Sequence, residues 1–311
     1  MNYMFEKKHE ATNGDFYDME HYEAVIKDSC KGYRKDGSLL FALVKGAIPE
    51  DKREKYKKVI KPVAKTKTKN RGASAGEVDI SKFPKKAVAF CNKNGEEYTD
   101  DKKRFSVFYK DESGKIVNRC QSNQTRCGVA GHFDKVAGLP CRKVGWSRDN
   151  LEKHNVLGEL SLDIQKAHKE EANDSYLFQE SISNLSPDYL FDGSIYSTMT
   201  LNYDFRTACH KDKGDLVGGL STLTIFEDVP DNYDGFYLGL PEYKIAFDLR
   251  DGDTLIFDAH EYHANTEYFV KTTRLPEKGT EKHFAGRISV VCYLRDKMKN
   301  CPKKIILENS K

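Results

Sequence analysis

The stretch 204-DFRTACHKDKGDLVGG-219 decides how this chain is read. It sets His210 and Asp212 two residues apart, with Arg206 before them and Asp215 and a Gly pair after them. In extended backbone, residues i and i+2 point to the same side, so an H-x-D leaving a strand offers two ligands to one metal. Taken alone, the same string reads better as a polar loop. Its surroundings decide between the two. From Tyr196 onward the chain runs through TMTLNYDF, STLTIFE, FYLGL, YKIAFDL, DTLIFD and GRISVVCYL, short segments rich in β-branched and aromatic residues. Turn strings such as PDNYDG and LRDGD separate them. The expected architecture is mostly β with flanking helices (α+β), a sandwich or barrel with helices packed outside.

A mononuclear iron(II) site of an oxygenase takes two His and one carboxylate on one face and leaves the other positions open. The chain offers the parts in order. After His210 and Asp212 comes 253-DTLIFDAHEYHANTEY-268, with His260 and His263 as alternatives for the distal ligand. His263, in the small-residue context His-Ala-Asn-Thr, is the favoured one; His260 is expected behind the ligands or in the pocket lining. Then 286-GRISVVCYLR-295 places Arg287 and Ser289 on one strand face. An Arg fork takes a carboxylate such as the distal one of 2-oxoglutarate bidentately, and a Ser hydroxyl adds a hydrogen bond. A second H-x-D, His132-Phe133-Asp134, lies in a Gly-rich stretch read as loop, and His132 is expected to be structural or on the surface.

Composition limits the alternatives. With 311 residues, 17 Tyr and 17 Phe, the chain can bury a large core. A net charge of +3 means that any nucleic-acid-binding surface must be local. No apolar run approaches membrane-spanning length, and the N-terminal MNYMFEKKHE is too polar for a signal peptide. The eight Cys form no C-x-x-C pair, so reduced thiols are expected. EHYEAVIKDSC reads as a short helix, and the pattern from Ser147 to Ala172 as a helix capped by Ser147 or Asp149 and ended by Ser186-Pro187. Residues 52–71, KREKYKKVIKPVAKTKTKNR, read either as a solvated tether or as an arm that contacts phosphates.

Several strings together resemble one family. They are RGASAG (71–76), CGVAGHFD (127–134), LPCR (139–142), MTLNYDFRTACHKDKGDLVGG (199–219), DGDTLIFDAHEYHANTE (251–267) and RISVVCYLRDKM (287–298). The chain resembles the TET/JBP iron(II)- and 2-oxoglutarate-dependent dioxygenases, and most of all the JBP-like branch of kinetoplastids, fungi, algae and viruses. The resemblance covers about residues 72–300; residues 1–71 are set apart as an N-terminal extension and 301–311 as a basic tail. It implies a double-stranded β-helix, jelly-roll or cupin-like, with its core at about 196–295.

It also implies iron ligands His210, Asp212 and His263, and Arg287 with Ser289 as the 2-oxoglutarate anchor. Asn202 falls where related enzymes bind cosubstrate. Arg206 would brace cosubstrate, meet a phosphate or form a surface ion pair. Asp215 would sit at the pocket mouth or cap a turn; with His260 and Tyr262 it makes up the expected substrate contacts. Tyr203, Phe205, Phe236 and Tyr237 are further candidates for stacking on a base, or else core residues. At His132 and Lys135 the chain departs from the family pattern, which touches the substrate-side loop.

The implied reaction hydroxylates the 5-methyl group of 5-methylcytosine or thymine in DNA, with dioxygen as cosubstrate and the base flipped out of the stack. The implied setting is intracellular, in the nucleus or cytoplasm (a virus's host cell included), for a monomer that binds DNA and no membrane. Two rivals share the motif set: a 2-oxoglutarate oxygenase of protein side chains, and a methylcytosine-modifying enzyme that uses an ascorbate-like cosubstrate.

Overall fold

A computed structural model describes every residue except 1, 80, 82–88, 93, 97–102, 118, 136–138, 272–283 and 302–311. The basic tail beyond Cys301 therefore lies outside the described residues. Ten strands form the main sheet. Its order is Asn2–Phe5, Cys30–Arg34, Leu39–Val44, Thr254–Phe257, Ser221–Glu227, Arg287–Tyr293, Thr198–Tyr203, Thr125–Phe133 and Lys67–Thr68, with Arg142–Lys143 branching off Thr125–Phe133. A four-stranded sheet runs Ala264–Asn265, Leu238–Leu240, Ile245–Phe247, Ala24–Ile26.

The two sheets face each other across an apolar layer. Phe41, Leu223, Leu255 and Phe257 of the main sheet meet Leu238, Ile245 and Phe247 of the small one. Phe41 and Phe247 sit edge to face with centroids 4.7 Å apart. Fully burying each such side chain contributes roughly 1.5–3 kcal/mol. The outer face of the main sheet is covered by the helices Glu50–Ala64 and Leu151–Glu171, through Tyr56, Ile60 and Val63 on one and Leu157, Leu160 and Ile164 on the other. The mostly-β core with helices outside is therefore present as expected.

The first 71 residues are not set apart. Cys30–Arg34 and Leu39–Val44 extend the main sheet, and Leu39–Val44 pairs with Thr254–Phe257. EHYEAVIKDSC holds no helix beyond its first residues; Ala24–Ile26 is a strand parallel to Ile245–Phe247. The basic stretch folds as the helix Glu50–Ala64, because Tyr56, Ile60, Val63 and Ala64 fall at i, i+4, i+7 and i+8 and form one buried stripe. Its lysines are engaged within the molecule: Lys52 pairs with Asp163 at 2.8 Å, Lys61 with Asp228 at 2.7 Å, and Lys55 with Glu159. The stretch is thus a packed helix rather than a tether up to Ala64.

Three further expectations change. Cys141 and Cys301 form a disulfide; the six remaining cysteines are free. The long helix is preceded by Gly145–Asp149 and capped from Asn150, with no side-chain cap bond, and a second helix, Asn173–Ser183, follows it before Pro187. The stretch around His132 is the nine-residue strand Thr125–Phe133 rather than a loop. Gly128 in it is obligatory, since a Cβ there would lie 2.3 Å from the Val63 carbonyl oxygen. Among the described residues, no helix is long and apolar enough to cross a membrane.

Candidate metal centre

The strand Thr198–Tyr203 ends in a loop that carries His210 and Asp212 back toward the turn after Thr254–Phe257. There His210 and His263 exchange backbone hydrogen bonds, N–H to carbonyl, at 3.0 Å in both directions. The Asp212 N–H donates to the Ala259 carbonyl at 2.9 Å. Each imidazole is fixed by a carbonyl: His210 Nδ1–H donates to Ala208 O at 2.7 Å and His263 Nδ1–H to Glu261 O at 3.0 Å. With Nδ1 protonated, each Nε2 is left as the lone-pair donor. His210 Nε2 lies 3.7 Å from Asp212 Oδ1, and His263 Nε2 lies 3.7 Å from Asp212 Oδ2. All three ligand atoms lie within 4.8 Å of one another, and among the described residues no other group of three His, Cys, Asp or Glu does so.

The electrostatics suit a cation. Burial, reinforced by the neighbouring His263, pushes His210 down to about 4, so its ring is neutral near pH 7. Burial acts to raise Asp212, but its neighbours His210, His263 and Arg71 together hold its carboxyl below the usual range. A neutral imidazole at His210 and an ionised carboxylate at Asp212 are protonation states that a divalent metal requires.

The cluster opens on a cavity of about 170 Å³ lined in part by Arg71, Thr200, Asn202, Asp215, Asn265 and Ser289. Asn202 and Ser289 are paired across adjacent strands, and Asn202 Nδ2 donates to Ser289 Oγ at 3.2 Å while Asn202 Oδ1 is buried without a partner. Arg287, two residues from Ser289 on the same strand face, does not line this cavity; it lies buried with Nε and Nη2 lacking partners among the described residues. Its guanidinium sits 4.6 Å over the Phe236 ring, which stacks on Tyr268 at 4.2 Å. Phe236 holds a left-handed φ of 59°, a strained backbone for a bulky residue and one often retained at functional sites. Burial lowers the Arg287 pKa from its usual value. Asp204 accepts the Arg287 and Gly286 N–H groups at 2.9 and 3.2 Å and so sets the start of the strand.

The remaining candidates divide. Asp215 reaches the cavity, accepts a hydrogen bond from the Ser221 hydroxyl, and is pushed well above the usual carboxylate range by burial and by Asp212. Arg206 does not reach it. Its Nη2 donates to both Asp18 oxygens at 2.8 Å and its guanidinium lies over Phe16, so of the roles expected for it the ion pair is the one present. His260 turns its Nδ1 to Asp258 Oδ1 at 3.3 Å and stays outside the cluster. Tyr262 does not line the cavity; it is half-buried with the Lys211 ammonium 4.3 Å from its ring. Tyr203, Phe205 and Phe236 are buried core residues, and Tyr237 packs against Tyr17, Tyr22 and their neighbours.

Sequence reasoning missed Arg71. Its guanidinium lines the cavity, its Nε is buried without a partner, and its charge is coupled to Cys127, Asp212 and Asp215. The signal was a single Arg opening RGASAG, a string matched for its small residues. Thr200 and Tyr293, which share a hydrogen bond at 3.1 Å, were also missed, although each lies an even number of residues along a strand from Asn202 or Ser289.

Comparison with known proteins points the same way. Residues 129–296, more than half of the chain, match the Tet_JBP model, the oxygenase domain of the 2OGFeDO superfamily. The bifunctional helicase and thymine dioxygenase JBP2 of Trypanosoma brucei brucei is 36% identical over 172 residues, 54% of this chain and 15% of that protein. The thymine dioxygenase JBP1-B of Trypanosoma cruzi is 30% identical over 172 residues, 54% of this chain and 19% of that protein. The matched stretch thus spans less than a fifth of either relative's length. The solved structure of NgTET1 in complex with 5mC DNA is similar in fold, with a TM-score of 0.51 over 89% of this chain and 81% of that chain at 14% identity.

Proposed function

The chain belongs to the Tet_JBP oxygenase family, and from that premise we propose that it hydroxylates the 5-methyl group of a pyrimidine in DNA, 5-methylcytosine or thymine. Iron(II), 2-oxoglutarate and dioxygen are the reactants this reading requires. One observation carries it. The His210–Asp212–His263 cluster opens on a cavity bordered by Asn202 and Ser289, and behind Ser289 lies a buried guanidinium with free donors. The residues fit the group: two imidazoles with Nε2 left free and a carboxylate suit iron(II) with positions left open, and a buried Arg with donors unpartnered among the described residues suits a carboxylate.

Iron with 2-oxoglutarate, when bound, supplies the oxidising chemistry. The protein's own part is to position and to exclude water. Arg287 would take the distal carboxylate, with Ser289 and Asn202 beside it, while Phe236 and Tyr268 hold the guanidinium flat and dry. Asp215, whose carboxyl is pushed well above the usual range by burial and by Asp212, borders the cavity where a base edge would lie. A cavity of about 170 Å³ has no room for a duplex, so the target nucleotide must leave the stack. The names of the relatives, thymine dioxygenases, and the 5mC DNA bound to NgTET1 favour a DNA base over a protein side chain. On this reading the protein works as a monomer where DNA is, in nucleus or cytoplasm, and its working unit includes the strands before residue 72.

The test is succinate release by the full chain with iron(II) and 2-oxoglutarate, on duplex DNA carrying 5-methylcytosine or thymine and on a peptide panel. Succinate formed together with a hydroxymethyl nucleoside, identified by mass, supports the reading. Release coupled only to peptides, or turnover that needs ascorbate and no 2-oxoglutarate, overturns it.

A further inference from the structure

All three candidate ligands take their place from one turn, residues 258–263. Its Ala259 carbonyl receives the Asp212 N–H, its His263 is bridged to His210 through the backbone, and its Glu261 carbonyl fixes the His263 ring. The same turn carries two carboxylates three residues apart, Asp258 and Glu261, both largely screened from water. Left to themselves, like charges in such a place push the turn open.

Arg34 prevents this. It ends the strand Cys30–Arg34, outside the matched oxygenase segment. Its Nη2 donates to Asp258 Oδ2 at 2.6 Å and to Glu261 Oε1 at 3.0 Å, and its Nε donates to Glu261 Oε1 at 3.3 Å. Nη1 donates to the Leu39 carbonyl at 3.1 Å, which fixes the fork against the sheet. Asp258 in turn accepts the His260 N–H at 3.0 Å, and its own N–H donates to the Leu40 carbonyl at 3.2 Å. The other Glu261 oxygen is paired with Lys7 at 2.7 Å, and the Tyr243 hydroxyl donates to Glu261 Oε1 at 2.9 Å.

We propose that Arg34 is a positioning residue for the metal centre: by bridging Asp258 and Glu261 it holds the turn in which His263 Nε2 converges with His210 and Asp212. The bridge needs a planar, multi-donor group, because a lysine ammonium is a point charge without the fork that meets two carboxylates at fixed angles. The proposal rests on the reading of His210, Asp212 and His263 as metal ligands.

Cobalt(II) is a suitable probe, since it binds nitrogen and oxygen ligands and its visible absorption reports how they are arranged. Titrated into the full-length, metal-free chain, it should bind Arg34→Ala about tenfold or more weakly than wild type, with an altered visible band, as expected when a residue that orients ligands is lost. Arg34→Lys should recover part of the affinity, and it serves in place of Arg34→Ala if thermal melting shows that variant unfolded before metal is added. Lys7→Ala is the control. It removes a cation from Glu261 and leaves the bridge, so its cobalt affinity should stay within about twofold of wild type. Wild-type affinity with an unchanged band in Arg34→Ala, or in Arg34→Lys where that variant is the one read, overturns the proposal; so does an equal loss in Lys7→Ala. His263→Ala is read separately: wild-type cobalt binding there removes the ligand assignment itself, whatever Arg34 does.

Discussion

The chain writes H-x-D twice, and the structure gives the two copies opposite fates. At His210-Lys211-Asp212 both rings of the site have Nδ1 tied to a carbonyl, and the Nε2 atoms converge on a carboxylate whose oxygens, among the described residues, form no ion pair with a lysine or arginine. At His132-Phe133-Asp134 the carboxylate is taken by Arg295 Nε at 2.8 Å. The imidazole is packed edge-on to His154 and Tyr189, with centroids 5.9 and 6.0 Å away. Spacing alone therefore says nothing of metal binding; what counts is which atoms the neighbours leave free. The copies are also joined. Arg295, which occupies Asp134, lines the cavity of the first site and is bridged to Asp215 through the backbone. The second motif thus braces the wall of the first.

The largest expected effect separates the two carboxylates. Asp212→Ala should lower iron(II) or cobalt(II) affinity by a factor of about 100 or more, since one of three ligands is lost. Asp134→Ala should leave metal affinity nearly unchanged and cost about 1–3 kcal/mol of stability, because Arg295 is left half-buried without its partner. Metal titration beside denaturant melts reads both. Equal losses of metal affinity would erase the contrast.

The next effect concerns the residues downstream of each motif. Beside the first lies Arg287, buried with Nε and Nη2 without partners among the described residues. Arg287→Ala should leave metal binding intact and raise the 2-oxoglutarate requirement strongly, by on the order of 2–5 kcal/mol in apparent binding. Arg287→Lys should recover part of this. Because Arg287 lies beyond the lining of the present cavity, an unchanged requirement would shift the anchor to Arg71, which lines it.

How much of this was legible depends on where the information sits. Strand Ser221–Glu227 was read to the residue, since STLTIFE is rich in β-branched and aromatic residues and holds no Gly or Pro. The choice of His263 over His260 rested on local context, and the geometry places His263 with His210 and Asp212. The helix Glu50–Ala64 was hidden because its lysines swamp four buried apolar residues, and their partners Asp163, Glu159 and Asp228 lie over a hundred residues away. The Cys141–Cys301 pairing spans 160 residues, so spacing could not reveal it. Arg71 and Arg34 were invisible for the same reason: each acts on groups that only the fold brings near. The packing of the N-terminal strands also bears on a deletion of residues 1–71. That cut strips Leu39–Val44 from Thr254–Phe257, so it should abolish folding rather than merely weaken contact with DNA.

A smaller effect tests the strand under the second motif. Gly128→Ala should destabilise by about 1–3 kcal/mol, since the new methyl meets the Val63 carbonyl oxygen and the helix must shift. Cobalt affinity should stay at the wild-type level. A large loss of metal binding would mean that strain in this strand reaches the first site.

The smallest effect is one of pH, and it belongs to the second motif alone. His154 stacks on Phe191 beside His132, and burial, aided by the charge of Lys143, pushes its pKa down to about 4 from 6.5. Above pH 6.5 the ring is neutral in both folded and unfolded chains, and the stability it contributes is fully present. As pH falls from 6.5 toward 4 the unfolded chain takes up a proton that the folded chain refuses, so stability is lost through that window. The ring keeps some contact with solvent, so the loss is discounted to about 1 kcal/mol. Replacing the group removes this part of the acid slope: denaturant melts of metal-free His154→Leu should fall less between pH 6.5 and 4 than those of wild type. Saturating cobalt should not affect that difference, because the metal engages His210 and His263 and leaves His154 untouched. A difference that vanished with cobalt would mean that the two motifs titrate as one unit and that the contrast between them is incomplete.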